Sequence, residues 1–167
     1  MRIFEPNRAI YRSRKKKKDF CDFCDADTLQ DQEVKQLRSD FWSVLACKYP
    51  YMDGNLMIIP KRHVCELDHL NKEEWEDFTK VLLTSKKLLA KLFKTKSFNI
   101  TMQIGPYSGG SMSHLHWMII PRPKLQNISA WNAVHDFYLV TLSYKDLIKK
   151  IDEYYKTGNV ERRTLKV

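Results

Sequence analysis

The sequence lacks any segment that would hold the chain in a membrane. No apolar run approaches the ~20 residues with which a helix spans a bilayer. The first residues, MRIFEPNRAIYRSRKKKK, also lack the apolar stretch of a secretory signal peptide. Both absences predict a protein that works away from membranes, in the cytoplasm or, as an alternative, in the nucleus.

Internal repeats and low-complexity tracts are missing as well, apart from one run of lysines. A hydrophobic content of 43% and an aromatic content of 12% exclude a chain that stays disordered. The 167 residues suit one domain with one core. We predict a basic N-terminal arm over residues 1–20, a folded domain over 21–157 and a charged C-terminal tail over 158–167.

Acidic residues are outnumbered, 20 against 29 basic ones, and the formal net charge is +9. Part of the excess lies in one short segment, in Arg12, Arg14 and the run from Lys15 to Lys18. A positive field favours anionic partners such as nucleotides or nucleic acid. The same segment also fits a solvated arm or a nuclear localisation signal, so all three interpretations stay open.

Five stretches are rich in apolar and β-branched residues and predict strands. They are Phe41–Ala46, Leu56–Ile59, Phe98–Gln103, Leu115–Ile120 and Phe137–Leu142. Pro60 and Pro121 are expected to end two of them, because proline cannot donate to a ladder. Asp53-Gly54 is a turn signal that predicts a hairpin between the first two strands.

Two helix starts are also visible. Asn71 with Glu74 three residues later predicts a capping box at the head of a long helix. Ser143 with Asp146 predicts the start of a second helix. Mostly antiparallel strands with interspersed helices favour an α+β layer fold.

The segment from Gly109 to Arg122 carries the strongest chemical signal. Its glycine-rich turn, whose N–H groups can bind phosphate oxygens, leads into a predicted strand with His114 and His116. Because strand side chains alternate between faces, both histidines are expected to share one face with Met118, opposite an apolar face. A lone histidine on a strand is usually structural, but two at alternate positions after Gly-Gly favour a functional site.

The Cys21-x-x-Cys24 pattern is a second signal, because such a pair in a reducing compartment suggests a metal before a disulfide. Zinc takes four soft or borderline ligands in a tetrahedron, so two more are needed. His63 and His114 are the natural candidates, and Cys65 is the main rival ligand. A pair of free thiols is the alternative interpretation.

Taken together, these motifs resemble the histidine-triad (HIT) superfamily, whose hallmark is three histidines alternating with apolar residues after a glycine-rich loop. The matching stretch is HLHWMIIPR. The dinucleoside tetraphosphate phosphorylase branch is similar to FEPNRAIYRS followed by FCDFC, to KYPYMDGNLMIIPKRHV and to IGPYSGGSMSHLHWMIIPR. The resemblance extends from about residue 4 to residue 123. It implies an HIT-like α+β fold, a five-stranded antiparallel sheet with two helices, and by analogy a homodimer.

The resemblance also implies a reaction on a nucleotide or dinucleoside polyphosphate. The middle histidine, here His116, attacks the α-phosphorus, and water or phosphate then resolves the covalent nucleotidyl-histidine. The attacking ring is neutral and is held through its other nitrogen by the backbone carbonyl of the first histidine, here His114. The loop positions implied to contact the phosphates are Gly109, Gly110, Ser111 and Ser113.

Three implied nucleotide-binding positions depart from the family pattern. Met118 replaces the third histidine, and a thioether cannot donate a hydrogen bond to the leaving-group oxygen. Cys47 and Gln103 stand where the family has asparagines. The implied function is a nucleotidyl hydrolase or transferase with lowered activity or altered substrate. The alternatives are a nucleotide-binding regulator with reduced or lost catalysis and, from the basic segment, a nucleic-acid end-processing enzyme.

A related uridylyltransferase branch resembles the chain in its metal pattern. There a Cys-x-x-Cys pair, a distant histidine and the first motif histidine bind zinc. The matching positions are Cys21, Cys24, His63 and His114. The resemblance therefore implies a structural Zn²⁺ that fixes the segment presenting His116.

Overall fold

The computed structural model describes residues 2–4, 20–105, 107–108, 110, 112–122 and 137–157. In chain order the elements are β1 (Arg2–Phe4), α1 (Ala26–Gln32), β2 (Trp42–Ala46), β3 (Leu56–Pro60), a 3-10 helix (Leu67–His69), α2 (Lys72–Leu92), β4 (Ser97–Met102), β5 (Trp117–Arg122), β6 (Phe137–Leu139) and α3 (Tyr144–Lys156). The predicted α+β class is confirmed. Most of the predicted basic arm, the loop residues Gly109 and Ser111, and the predicted tail lie outside the described residues.

Four strands form one antiparallel sheet in the order β2-β3-β5-β4. The fifth predicted strand, β6, pairs instead with β1, in parallel and in a separate two-stranded sheet. The prediction of a five-stranded antiparallel sheet was therefore wrong for the described residues. The prediction of two helices was also wrong, because the short helix α1 adds a third; Asp25 caps it by accepting from the Thr28 N–H.

The turn signals and one of the two prolines act as predicted. β2 and β3 are adjacent antiparallel strands, and Gly54 lies between them with a φ of 83°. Pro60 is the last residue of β3, whereas Pro121 lies inside β5, which continues to Arg122. Pairing of β5 with β3 runs only as far as Ile119, so Pro121 has a strand neighbour on one side only, where the missing donor is tolerated.

Both predicted helix starts are confirmed. The Asn71 side chain accepts from the Glu74 N–H, and the Glu74 carboxylate accepts from the Asn71 N–H, which completes the capping box of α2. Ser143 caps α3 by accepting from the Asp146 N–H. No helix within the described ranges is both long and apolar enough to cross a membrane.

The two faces of the sheet carry different clusters. Helices α2 and α3 pack on one face, where the rings of Trp42, Phe78 and Trp117 meet. The opposite face carries a second buried group, here called the methionine-face cluster: Phe23, Leu45, Cys47, Met52, Met57, Ile59, Met118 and Ile120. The residues of chemical interest lie on or beside this second face.

Candidate active site and metal centre

His114 and His116 lie immediately before β5 rather than inside it, because β5 begins at Trp117. The predicted start of this strand was therefore wrong. The segment is bound instead to the loop that follows β3. The Leu115 N–H donates to the Val64 carbonyl at 2.7 Å, and His114 Nε2–H donates to the Pro60 carbonyl at 2.9 Å.

The ring of His116 is held through one nitrogen. Its Nδ1–H donates to the His114 carbonyl at 3.0 Å, which leaves Nε2 with a lone pair. Among the described residues, Nε2 has no hydrogen-bond partner. The residue is 6% exposed, and burial lowers the pKa of the imidazole, so the ring is neutral at pH 7. A neutral imidazole with one free nitrogen can act as a nucleophile or as a base.

Phe23 contacts the rings of both histidines. Its ring centroid lies 5.8 Å from that of His114 and 5.4 Å from that of His116, edge-on in each case. Phe23 also belongs to the methionine-face cluster, so it links that cluster to the histidine pair. Phe23 was not among the predicted site residues, although its position between Cys21 and Cys24 was a usable signal.

The four predicted metal ligands lie together. The candidate ligand atoms of Cys21, Cys24, His63 and His114 are all within 4.8 Å of one another. Sulfur to nitrogen separations are 3.5 Å for each thiol to His114 Nδ1 and 3.3 Å for Cys24 to His63 Nδ1. Tetrahedral zinc with its usual Zn–S and Zn–N lengths places such atoms about 3.6 Å apart. The donor set therefore fits a tetrahedral metal ion.

The outer contacts of both imidazoles also suit metal ligation. His114 turns Nδ1 to the thiols because its Nε2–H is bound to the Pro60 carbonyl, and such a second bond commonly orients a metal-binding histidine. His63 likewise turns Nδ1 to the cluster, while Cys65 lies 3.3 Å from its Nε2. Cys65, the rival ligand, is thus on the far side of the His63 ring and outside the four-residue group.

Without a cation, desolvation and the adjacent Cys21 thiol raise the pKa of Cys24 to about 11. Burial and the nearby His63 and His116 rings lower the pKa of His114 to about 4, against the bond to the Pro60 carbonyl. The histidine is therefore neutral at pH 7, as metal ligation requires. A bound divalent cation would favour the thiolate forms of the cysteines.

Two of the predicted nucleotide-binding residues are buried in the methionine-face cluster. Met118 is 5% exposed and Cys47 is 8% exposed. Met118 pairs across the sheet with Met57 on β3 and with Thr101 on β4. These positions present thioether and thiol groups where hydrogen-bonding side chains were expected from the family pattern.

The other described loop positions lie at the open end of β4 and β5. Gln103 directly follows the last residue of β4 and His116 directly precedes the first residue of β5, and Met102 and Trp117 are paired at that end of the ladder. Gly110 packs against Gln103, since a Cβ added to Gly110 would lie 3.2 Å from the Gln103 Cβ. Ser113 is exposed. The structure thus brings Gln103, Gly110 and His116 to one end of the sheet.

The sequence is similar to those of known proteins. The pattern of the HIT domain family matches residues 30–125. Over 92 residues the chain is 34% identical to a bis(5'-adenosyl)-triphosphatase of Saccharomyces cerevisiae, a match that covers 54% of this chain and 45% of that protein. Over 75 residues it is 32% identical to an AP-4-A phosphorylase of Mycobacterium tuberculosis, covering 44% and 38%. The chain spans less than half the length of these curated relatives.

Solved structures share the fold. A hypothetical histidine triad nucleotide-binding protein from Sulfolobus tokodaii superposes with a TM-score of 0.66 at 19% identity, covering 88% of this chain and 99% of that one. A zinc-bound histidine triad family protein from Mycobacterium smegmatis superposes with a TM-score of 0.59 at 14% identity, covering 83% and 95%. The HIT pattern covers more than half of the 167 residues, and the protein is therefore a member of the HIT domain family.

Proposed function

We propose that the protein is a nucleotidyl hydrolase or transferase that acts on dinucleoside polyphosphates or nucleotide conjugates through a covalent nucleotidyl-His116 intermediate. The observation that carries the proposal is the bond from His116 Nδ1–H to the His114 carbonyl, which leaves Nε2 as a neutral nucleophile. Family membership, and relatives named as a triphosphatase and a phosphorylase, support the substrate class.

The reaction divides one displacement into two. His116 Nε2 attacks the α-phosphorus, the P–N bond forms, and the P–O bond to the leaving phosphate chain breaks with its electron pair on that oxygen. Water or phosphate then attacks the same phosphorus and expels the imidazole, and the proton lost from water passes to solvent. The Nδ1–H bond stabilises the positive charge that the ring carries while it is nucleotidylated.

Polar groups at the open end of the sheet are proposed to bind the phosphates. Gln103 and His116 flank the same end of the β4–β5 ladder, and backbone N–H groups of the glycine loop are suited to phosphate oxygens. This assignment includes Gly109, Gly110, Ser111 and Ser113. Cys47 and Met118 are proposed as apolar contacts of the nucleoside.

We infer that the ion held by Cys21, Cys24, His63 and His114 is zinc. Two thiols and two imidazoles at tetrahedral separations are the donors that zinc prefers, and they leave no open position for substrate. Bound there, the metal supplies structural cross-linking rather than chemistry. His114 would then connect the site to the nucleophile, because its own carbonyl accepts the His116 Nδ1–H.

The proposed function is tested by intact-mass spectrometry of the protein incubated with diadenosine tetraphosphate and a panel of nucleotides. We expect an adduct of one nucleotidyl group in the wild type and none in His116→Ala. His69→Ala is the matched control, since His69 is exposed and outside the site. Neither adduct nor turnover with any nucleotide at high enzyme concentration would contradict the proposal.

Met118 in place of the third histidine of the family pattern supports a second candidate function, a nucleotide-binding regulator with reduced or lost catalysis. In the same experiment this function predicts measurable nucleotide binding with no adduct on His116. A binding isotherm recorded beside the mass spectrum therefore separates the two functions.

Two partner assignments are also proposals. β4 forms one edge of the four-stranded sheet, and Ile100 on it is 43% exposed, which supports pairing with a second copy in a homodimer. Sedimentation velocity measures whether the protein is a monomer or a dimer.

The basic residues from Arg12 to Lys18 support nucleic-acid binding, which would fall steeply with salt because each phosphate contact releases counterions.

A further inference from the structure

Met118 removes the hydrogen-bond donor that the third histidine of the family pattern would offer to the departing oxygen. We propose that Thr101 supplies this hydrogen bond, from the neighbouring strand β4, in place of the third histidine of the family pattern. This inference rests on the proposed function and names a further catalytic residue for it.

The register of the sheet places Thr101 where the donor is needed. Thr101 and Met118 are directly paired in the β4–β5 ladder. Residues opposite each other in an antiparallel pair project from the same face, with Cβ atoms about 4.5–5.5 Å apart. A donor at Thr101 instead of at position 118 is therefore displaced by one strand but projects from the same face of the sheet.

That face is also the face of the nucleophile. Trp117 belongs to the core under α2, whereas its neighbour Met118 belongs to the methionine-face cluster. The His116 ring contacts Phe23, a member of the same cluster as Met118. His116, Met118 and Thr101 therefore lie on one side of the sheet, with Met118 and Thr101 side by side and His116 nearer the open end.

The Thr101 hydroxyl is available for a ligand. The residue is exposed, and the described part of the chain offers its hydroxyl no hydrogen-bond partner. Met57, the other cross-strand neighbour of Met118, is a buried thioether and cannot donate. Of the two side chains that flank Met118 across the ladder, Thr101 is the one with a donor.

The chemistry needs a hydrogen bond but no proton transfer from threonine. As the P–N bond to His116 forms, the bridging P–O bond breaks and its electron pair stays on the leaving oxygen. The Thr101 O–H donates to that oxygen as its charge grows and keeps its own proton, and the released group takes its proton from solvent. Such a donor acts in the transition state more than in the ground state, because the charge develops there.

The test compares AMP aryl esters that differ in the basicity of the phenolate they release, from 4-nitrophenyl to phenyl. The rate of adenylyl-His116 formation is measured by rapid quench and mass spectrometry. In Thr101→Val we expect the phenyl ester to react more slowly by on the order of 100-fold, as after loss of one oxyanion donor. The 4-nitrophenyl ester, whose leaving group needs little help, is expected to change far less.

Three variants make the result specific. Thr101→Ser keeps the hydroxyl and should keep the wild-type dependence on the leaving group. Thr79→Val makes the same exchange at an exposed position of α2 and should change neither ester. Met118→His added to Thr101→Val should restore the rate at which the phenyl ester forms the adduct, because the imidazole supplies a donor at the position opposite residue 101.

Failure of this inference is distinguishable from failure of the proposed function. If the wild type forms an adduct but Thr101→Val slows both esters equally, or neither, the role of Thr101 is overturned and the nucleophile stands. If no ester gives an adduct in the wild type, the proposed function is overturned and the inference falls with it.

Discussion

His114 and His116 are chemically identical side chains that are two residues apart, and their difference arises from which ring nitrogen meets a carbonyl. His114 donates through Nε2 to Pro60, so its Nδ1 faces the two thiols. His116 donates through Nδ1 to His114, so its Nε2 is free for substrate. One backbone carbonyl for each ring is enough to turn Nδ1 of one histidine to the thiols and to leave Nε2 of the other unbonded, as the proposed roles of ligand and nucleophile require.

Phe23 is expected to help orient the His116 ring. In Phe23→Leu the apolar volume stays in the cluster, but the edge contact to His116 is lost. Aromatic pairs contribute about 0.5–1.5 kcal/mol beyond burial, so we expect adduct formation to slow roughly threefold to tenfold. The rate is measured by quenched mass spectrometry, with zinc content determined on the same sample.

Phe20→Leu is the matched control, since Phe20 is 42% exposed and lies before the cysteine pair. A Phe23→Leu protein that keeps its zinc and reacts at the wild-type rate would show that the ring contact has no part in positioning His116.

The elements that the sequence predicted are those whose signals are local. The capping residues Asn71 and Ser143 each begin a helix at the expected position, because a cap depends only on the next few residues. The Asp53-Gly54 turn joins β2 to β3 for the same reason. Local signals therefore located most of the four-stranded sheet and both long helices.

The elements that the sequence missed depend on distant partners. Strand β5 starts at Trp117, two residues after the predicted start at Leu115, because the Leu115 N–H donates to the Val64 carbonyl instead of to a ladder partner. β6 leaves the main sheet because it pairs with β1, whose residues lie more than a hundred positions away in the sequence. The pattern of apolar residues within a strand does not indicate which distant strand or loop it will pair with.

The four candidate metal ligands join three segments of the molecule: the Cys21–Cys24 turn, the loop after β3 and the segment before β5. Loss of the ion should therefore destabilise the fold as well as the site. Each kcal/mol lost shifts Tm by about 2–4 °C in a chain of this size, so chelation that removes a few kcal/mol should lower Tm by roughly 5–10 °C. Thermal unfolding with and without chelator measures the shift, and elemental analysis counts the metal.

Cys24→Ser should reproduce the low Tm and lose the metal, because it removes one of four donors. Cys65→Ser is its matched control, since that thiol lies on the far side of His63 from the cluster. If Cys65→Ser loses as much zinc as Cys24→Ser, the four-ligand assignment is wrong.

The charge of the whole molecule is distributed unevenly along the fold. Between Asp77 and Asp136 the sequence contains no aspartate or glutamate. That interval holds most of α2, all of β4 and β5, and the pair His114 and His116. His116 and the candidate phosphate-binding residues therefore lie within an acid-free third of a chain whose net charge is +9.

Such a distribution should attract an anionic ligand before it makes any contact. We expect the association rate of ATP to fall roughly tenfold as sodium chloride is raised from low to high concentration, because salt screens the field over distances beyond about 10 Å. Adenosine is the matched ligand, since it has the same base and sugar but no phosphate charge. Stopped-flow binding of both ligands across the salt series measures the effect, and equal salt dependence for both would show that contacts within the site, rather than the field of the whole molecule, govern capture.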